Sequence, residues 1–273
     1  MNIWTQKSIE LANQQNYLDL LYKVYPLSAN LKREMSENVK VDIARAITSR
    51  DNEALLDILI AQTKSKKIVF PIKDSYVAYL KHDQNAIARN PNTVNRLTGI
   101  LYEMGYEKII DNSTAPKETN RQIGPLFNYW LRRGSLGALV TDDPAIFLSK
   151  HDNMVLDGSD DFRAAFAREH LGYPRSKGLD FVAKFNNKYV IGEAKFLSDF
   201  GGSQNSDYED AELTLRAELK PTGKTVIKIA IIDGVLYIDR CAGMQPANKL
   251  RANLNDDEVV LSSVLLRDYL YSL

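Results

Sequence analysis

The sequence of 273 residues holds a single cysteine, Cys241, so it can build neither an internal disulfide nor a multi-cysteine zinc site. Its three histidines, His82, His151 and His170, have no metal-ligand spacing. No apolar run is long enough to span a bilayer. The stretch Met1 to Lys7 lacks a signal-peptide core, and the cytoplasm is the expected compartment. No glycine-rich phosphate loop of the Walker type is present; Gly201-Gly202 reads as a turn before a helix, which argues against ATP-driven translocation. Ser-His-Asp catalysis has no local signature. Net charge is also missing, with 35 Lys/Arg against 35 Asp/Glu.

That balance hides an asymmetry. Residues 61–135 carry 12 Lys/Arg against 6 Asp/Glu, while residues 136–273 carry 16 against 21. A basic centre beside an acidic half suits a protein that grips a polyanion in one place and holds cations in another. Apolar content of 44% supports a packed core.

The first 150 residues read as mostly helical. Apolar residues from Ile9 to Val24 precede a stop at Tyr25-Pro26, and further helices are predicted near Ser28, over Val39–Ile47, over Asn52–Ile60 and over Asp74–Leu80. Asn92 or Thr93 caps a helix that Gly105 ends, and Phe127–Arg133 forms a short one. From Ser159 the rhythm changes. Ser159 caps a helix that runs to Leu171 and closes at Gly172. Two apolar-rich runs then flank Asn186-Asn187, which predicts a hairpin. A helix over 204–219 and a strand over Val226–Ile232 follow. Asp233-Gly234 predicts a turn into a further strand at Val235–Ile238, and Val259–Leu273 a packing helix. The boundary falls near residue 150, and the order helix, strand, strand, helix, strand predicts a mixed α/β core.

The hairpin carries the chemistry. It runs from Gly178-Leu179-Asp180 through Asn186-Asn187 to Gly192-Glu193-Ala194-Lys195. Twelve residues separate the two carboxylates, so folding the hairpin returns Glu193 to Asp180. Lys195 follows Glu193 by two positions and shares its face on a strand. Magnesium prefers hard oxygen ligands, and Asp180, Glu193 and a carbonyl near Ala194 supply three. Such a metal polarises a phosphoryl oxygen and activates water. A lysine there can orient the water, stabilise developing charge, or act as base if its pKa is depressed.

Asp180 followed by Glu193-Ala194-Lys195 resembles the PD-(D/E)xK nuclease superfamily over roughly residues 159–240. Lys73 to Leu80 and Lys117 to Gly124 resemble segments of some type II restriction endonucleases. Leu179 stands where proline often precedes the first acid. The resemblance implies a restriction-endonuclease-like α/β (α+β) core, with a central mixed sheet flanked by helices. Residues 1–150 would then be a mostly helical DNA-recognition portion and 151–273 the nuclease core. It implies that Asp180 and Glu193 ligate Mg2+, with Ala194 offering its carbonyl, and that Lys195 assists the attacking water. Glu169 resembles an extra acid some members use, and Gln204 with Tyr208 resembles a Gln-xxx-Tyr pair found on the equivalent helix.

The activity so implied is Mg-dependent hydrolysis of double-stranded DNA at a short specific sequence, leaving 5′-phosphate ends. A homodimer is expected, because one site cuts one strand, and a companion DNA methyltransferase would protect the host. Lys117, Arg96, Arg121, Arg132 and Arg133 are candidates for phosphates; Asn92, Asn95, Asn120, Arg121 and Gln122 have the chemistry to read bases. Two rival readings remain: a structure-specific repair or recombination nuclease, and a non-catalytic DNA-binding protein.

Overall fold

The computed structural model describes residues 1–14, 16–26, 32–116, 120–199, 203–239 and 247–273. The chain divides into two units, Met1–Leu27 with Thr119–Leu273, and Ser28–Glu118. The predicted boundary near residue 150 therefore gives way to a discontinuous unit into whose sequence a helical one is inserted. The first 27 residues belong with the sheet because α1 (Ile3–Ala12) and α2 (Tyr17–Val24) bury Ile9, Leu21 and Val24 in its core.

The helical unit contains α3 (Glu37–Ser49), α4 (Asn52–Lys64), α5 (Ser75–His82), the single turn α6 (Ala86–Arg89), α7 (Pro91–Met104) and α8 (Tyr106–Ser113). Its starts are written in the sequence: Asp51 and Asp74 accept hydrogen bonds from Ala54 N and Tyr76 N. Leu55, Leu59, Leu97 and Leu101 are fully buried in its own core.

In the other unit, α9 (Asn120–Arg132), β1 (Leu139–Thr141), α10 (Pro144–Ser149) and β2 (Met154–Leu156) lead to α11 (Asp160–His170). The hairpin strands are β3 (Phe181–Phe185) and β4 (Lys188–Leu197), followed by α12 (Ser203–Leu215) and β5 (Val226–Gly234). Helix α13 (Ala247–Asn253), β6 (Val259–Leu261) and α14 (Ser263–Tyr271) complete it. The six strands form one sheet in sequence order, antiparallel across β2–β3–β4 and parallel elsewhere. This is the mixed α/β architecture the sequence predicts. The hairpin turn has φ of 49° at Asn186 and 61° at Asn187, the left-handed pair that asparagine tolerates and a tight hairpin needs.

The structure departs from the sequence expectation at two places. After Asp233-Gly234 the chain makes a 3-10 turn over Val235–Tyr237 instead of a strand. Both edges of β5 are already taken, by β4 and β6, so no hairpin partner can add there. Likewise Val259–Leu273 is a strand and then a helix: the Val259-Val260-Leu261 run pairs with β5, and the Ser262 side chain caps α14 at Val264 N. Asp233, fully buried, fastens this corner by accepting hydrogen bonds from Tyr25 OH at 2.7 Å, Ser262 Oγ at 2.5 Å and Ser263 N at 3.1 Å.

Gly234 is constrained by both dihedral and space. Its φ is 94°, and a Cβ there would lie 2.0 Å from the Leu197 carbonyl oxygen. Gly234→Ala is expected to cost about 2 kcal/mol or more, seen as a lowered melting midpoint. Gly99→Ala, inside α7 with nothing near the new methyl, is expected to raise the midpoint through about 0.5–1 kcal/mol of helix propensity. Equal behaviour of the two variants would contradict this account.

Candidate active site

Register brings the acids together. Phe181 pairs with Gly192, so the residues just outside that pair, Asp180 and Glu193, sit side by side at the end of the hairpin ladder. Gly192 is small because β5 approaches closely: a Cβ would lie 2.8 Å from the Ile229 carbonyl oxygen. The Asp180 carboxylate is fixed by Ala194, whose N–H donates to Oδ2 at 2.9 Å. Glu193 is 2% exposed, and Lys195 Nζ lies 2.8 Å from its Oε1. Its other oxygen, Oε2, is buried without a hydrogen-bond partner. These three side chains open into a cleft of about 350 Å3, walled by Ser159 to Asp161 at the start of α11 and by Lys177-Gly178.

The electrostatics follow from burial. Asp180 is pushed up to about 7, first by burial and then by the Glu193 charge; the Ala194 N–H and the Lys195 ammonium pull the other way. Burial alone would lower the Lys195 pKa, but the Glu193, Asp180 and Asp207 carboxylates together outweigh it, and the ammonium is held above its ordinary value. With no divalent cation beside it, Lys195 thus presents a cation to the cleft.

Three further side chains join the site. Lys177, on the loop after α11, donates to Glu193 Oε1 at 2.6 Å and pairs with Asp210 Oδ2 on α12. Lys195 Nζ is also 3.5 Å from that Asp210 oxygen. Arg175 grips Asp210 Oδ1 at 3.2 Å and Thr214 Oγ1 at 2.5 Å. The sequence offers one signal for the two cations: Arg175-Ser176-Lys177 stands immediately before Gly178-Leu179-Asp180.

Other predicted residues lie elsewhere. Glu169 is not brought into the cleft. It sits near the far end of α11, about 13 Å along the axis from Asp160, exposed and 3.7 Å from His170 Nε2. The α11 acids that reach the cleft are Asp160 and Asp161. Gln204 lies on α12, but its side chain falls outside the described residues; Tyr208 is packed in the apolar core. In the helical unit, Asn92 is exposed on α7. Asn95 Oδ1 accepts from Asn52 Nδ2 at 2.9 Å. Arg96 pairs with Asp74 Oδ2 at 2.6 Å and lies over the Tyr76 ring. Lys117 lies outside the described residues, as do the side chains of Asn120 and Arg121 in the first turn of α9; Gln122 is half-buried there. Arg132 is held by Asp157 at 2.8 Å, and Arg133 donates to the Lys23 carbonyl at 2.8 Å.

Among the described residues, no group of three or more His, Cys, Asp or Glu side chains is arranged to hold a metal ion. The donor set fits a hard divalent cation only with backbone and water completing it, as magnesium sites usually require. Two converging acids, one raised to about 7 and the other with a bare buried oxygen, are the arrangement such a cation relieves.

A family model described as Tsp45I type II restriction enzyme matches residues 2–273. No curated protein matches the chain, and no solved structure does.

Proposed function

The chain belongs to the Tsp45I type II restriction enzyme family, site-specific DNA endonucleases, and from that premise we propose that the Asp180–Glu193–Lys195 cleft is where it hydrolyses DNA. The observation that carries this reading is the convergence of Asp180 and Glu193 on one buried cleft, with Glu193 Oε2 left bare.

In this reading Asp180 and Glu193 hold Mg2+, with the Ala194 carbonyl beside them. The cation supplies Lewis acidity to the phosphoryl oxygen and makes water a better nucleophile. Lys195, kept charged by Glu193, lies next to the reacting phosphate and stabilises the charge that builds on it. The Ala194 N–H holds the Asp180 carboxylate in place before substrate arrives. Products are 5′-phosphate and 3′-hydroxyl ends.

The candidates Asn92, Asn95, Arg96, Lys117, Asn120, Arg121 and Gln122 supply the DNA contacts, phosphates first and base edges second. Arg96 must exchange Asp74 for a phosphate to do so. The working enzyme is a homodimer in the cytoplasm, alongside a methyltransferase that marks the same sequence. No helix among the described residues is long and apolar enough to cross a membrane.

Plasmid DNA incubated with the protein and Mg2+ tests the proposal. Discrete bands are expected, lost on chelation, and Lys195→Ala is expected to cut about 10²–10⁴-fold more slowly. DNA that is bound but stays intact, or Lys195→Ala cutting at the wild-type rate, would overturn the assignment.

A further inference from the structure

The Glu193 carboxylate is unevenly loaded. Oε1 receives two ammonium groups, Lys195 Nζ at 2.8 Å and Lys177 Nζ at 2.6 Å, while Oε2 has no partner. The two lysines are held differently. Lys195 is set by the register of β4, where it pairs with Ile232. Lys177 reaches in from the loop between α11 and β3, and its side chain is 36% exposed against 20% for Lys195. Two like charges on one oxygen repel each other, and a divalent cation on the same carboxylate would face both. Lys177 has a second partner to fall back on in Asp210, which Arg175 already holds on its other oxygen. A four-carbon stem at a cleft rim, tipped by a compact cation, is also well suited to a DNA phosphate.

We propose that Lys177 is a positioning residue that competes for Glu193: it neutralises the carboxylate in the cation-free cleft and moves to the DNA backbone when substrate arrives, leaving Glu193 to the divalent cation. This inference rests on the reading of the cleft as a divalent-cation site. Its consequence is reciprocal coupling: DNA tightens cation binding, and the cation tightens DNA binding by the same factor.

Calorimetric titration with Mn2+ tests it, on wild type, Lys177→Met and Lys177→Arg, each checked by a melt for folding. Without DNA, Lys177→Met is expected to bind Mn2+ about tenfold more tightly than wild type, a usual size for coupling between two sites. Lys177→Arg, which keeps the cation, is expected to match wild type. A short duplex with cleavage-resistant phosphorothioate linkages, titrated against a duplex-only blank, should tighten Mn2+ binding to wild type by a larger factor than to Lys177→Met, because only wild type has a lysine to release from Glu193. A lysine that merely braces the loop would not improve cation affinity on removal.

Equal Mn2+ affinity of wild type and Lys177→Met overturns the role of Lys177 while the cation site stands. Absence of the duplex effect in wild type overturns it too, and needs no variant. Mn2+ binding that Asp180→Asn fails to weaken overturns the cation site itself, and this inference with it.

Discussion

Asp180→Asn is expected to abolish DNA cleavage and, in the same molecule, to stabilise the metal-free protein at pH 8. The two effects have one origin. The Asp180 carboxyl is raised from 3.8 to about 7, by burial first and by Glu193 next. The folded protein thus keeps a proton that the unfolded chain releases. The stability this proton confers is fully present below pH 3.8 and disappears as pH climbs towards 7. Above that, folding carries the cost of a half-buried, repelled carboxylate, on the order of a few kcal/mol. Asparagine has no charge to bury, and its Oδ1 can still accept from Ala194 N. The gain in melting midpoint should therefore appear at pH 8 and vanish at pH 4. Cleavage should fall by about 10³-fold or more, since an amide is a poor ligand for a hard cation. A variant that cuts normally, or one destabilised equally at both pH values, would contradict the account. Most substitutions destabilise, so a gain here would mark a residue kept for chemistry.

Arg163→Met is expected to lower stability by about 3–5 kcal/mol, the cost of breaking a buried charged network. Arg163 is 1% exposed, and burial holds its pKa below the ordinary arginine value. Its guanidinium donates to the Leu156 carbonyl at 3.2 Å, Asp160 Oδ1 at 3.2 Å and Asn128 Oδ1 at 2.6 Å. One side chain thereby ties α9, β2 and α11, and reaches the carbonyl of Leu179 at 3.5 Å, next to Asp180. Lysine cannot reproduce that fork, so Arg163→Lys should recover little. Denaturant unfolding measures the loss; a cost below about 1 kcal/mol would mean that the network is not structural.

Local signals carried much of the fold. Capping residues Asp51, Asp74 and Ser159 fix helix starts within a turn, and Asn186-Asn187 fixes the hairpin, because each acts on backbone groups a few residues away. The acid pair was legible for the same reason: period-two alternation and hairpin closure determine where Glu193 and Lys195 lie relative to Asp180. What failed depends on distant contacts. Asp233-Gly234 has a hairpin signal, but the edges of β5 are filled from residues 188–197 and 259–261. Lys177 and Asp210 meet through side chains from a loop and a helix, which leaves no period to read. Glu169 has the right chemistry but sits at the wrong end of its helix.

The union of α1 with β6 has a consequence for synthesis. Val260 N donates to Thr5 Oγ1 at 3.3 Å and Ser262 N to Ser8 Oγ at 3.0 Å, across more than 250 residues of chain. A ribosome makes Thr5 more than 250 residues before Val260. Until the late strand emerges, β5 has an open edge and α1 lacks its strand partner, while the helical unit, which has a core of its own, can fold without waiting. Growing chains should therefore acquire protease resistance over 28–118 well before they become able to cut DNA. The cell would meet a cutting enzyme only after β6 has closed the edge of β5.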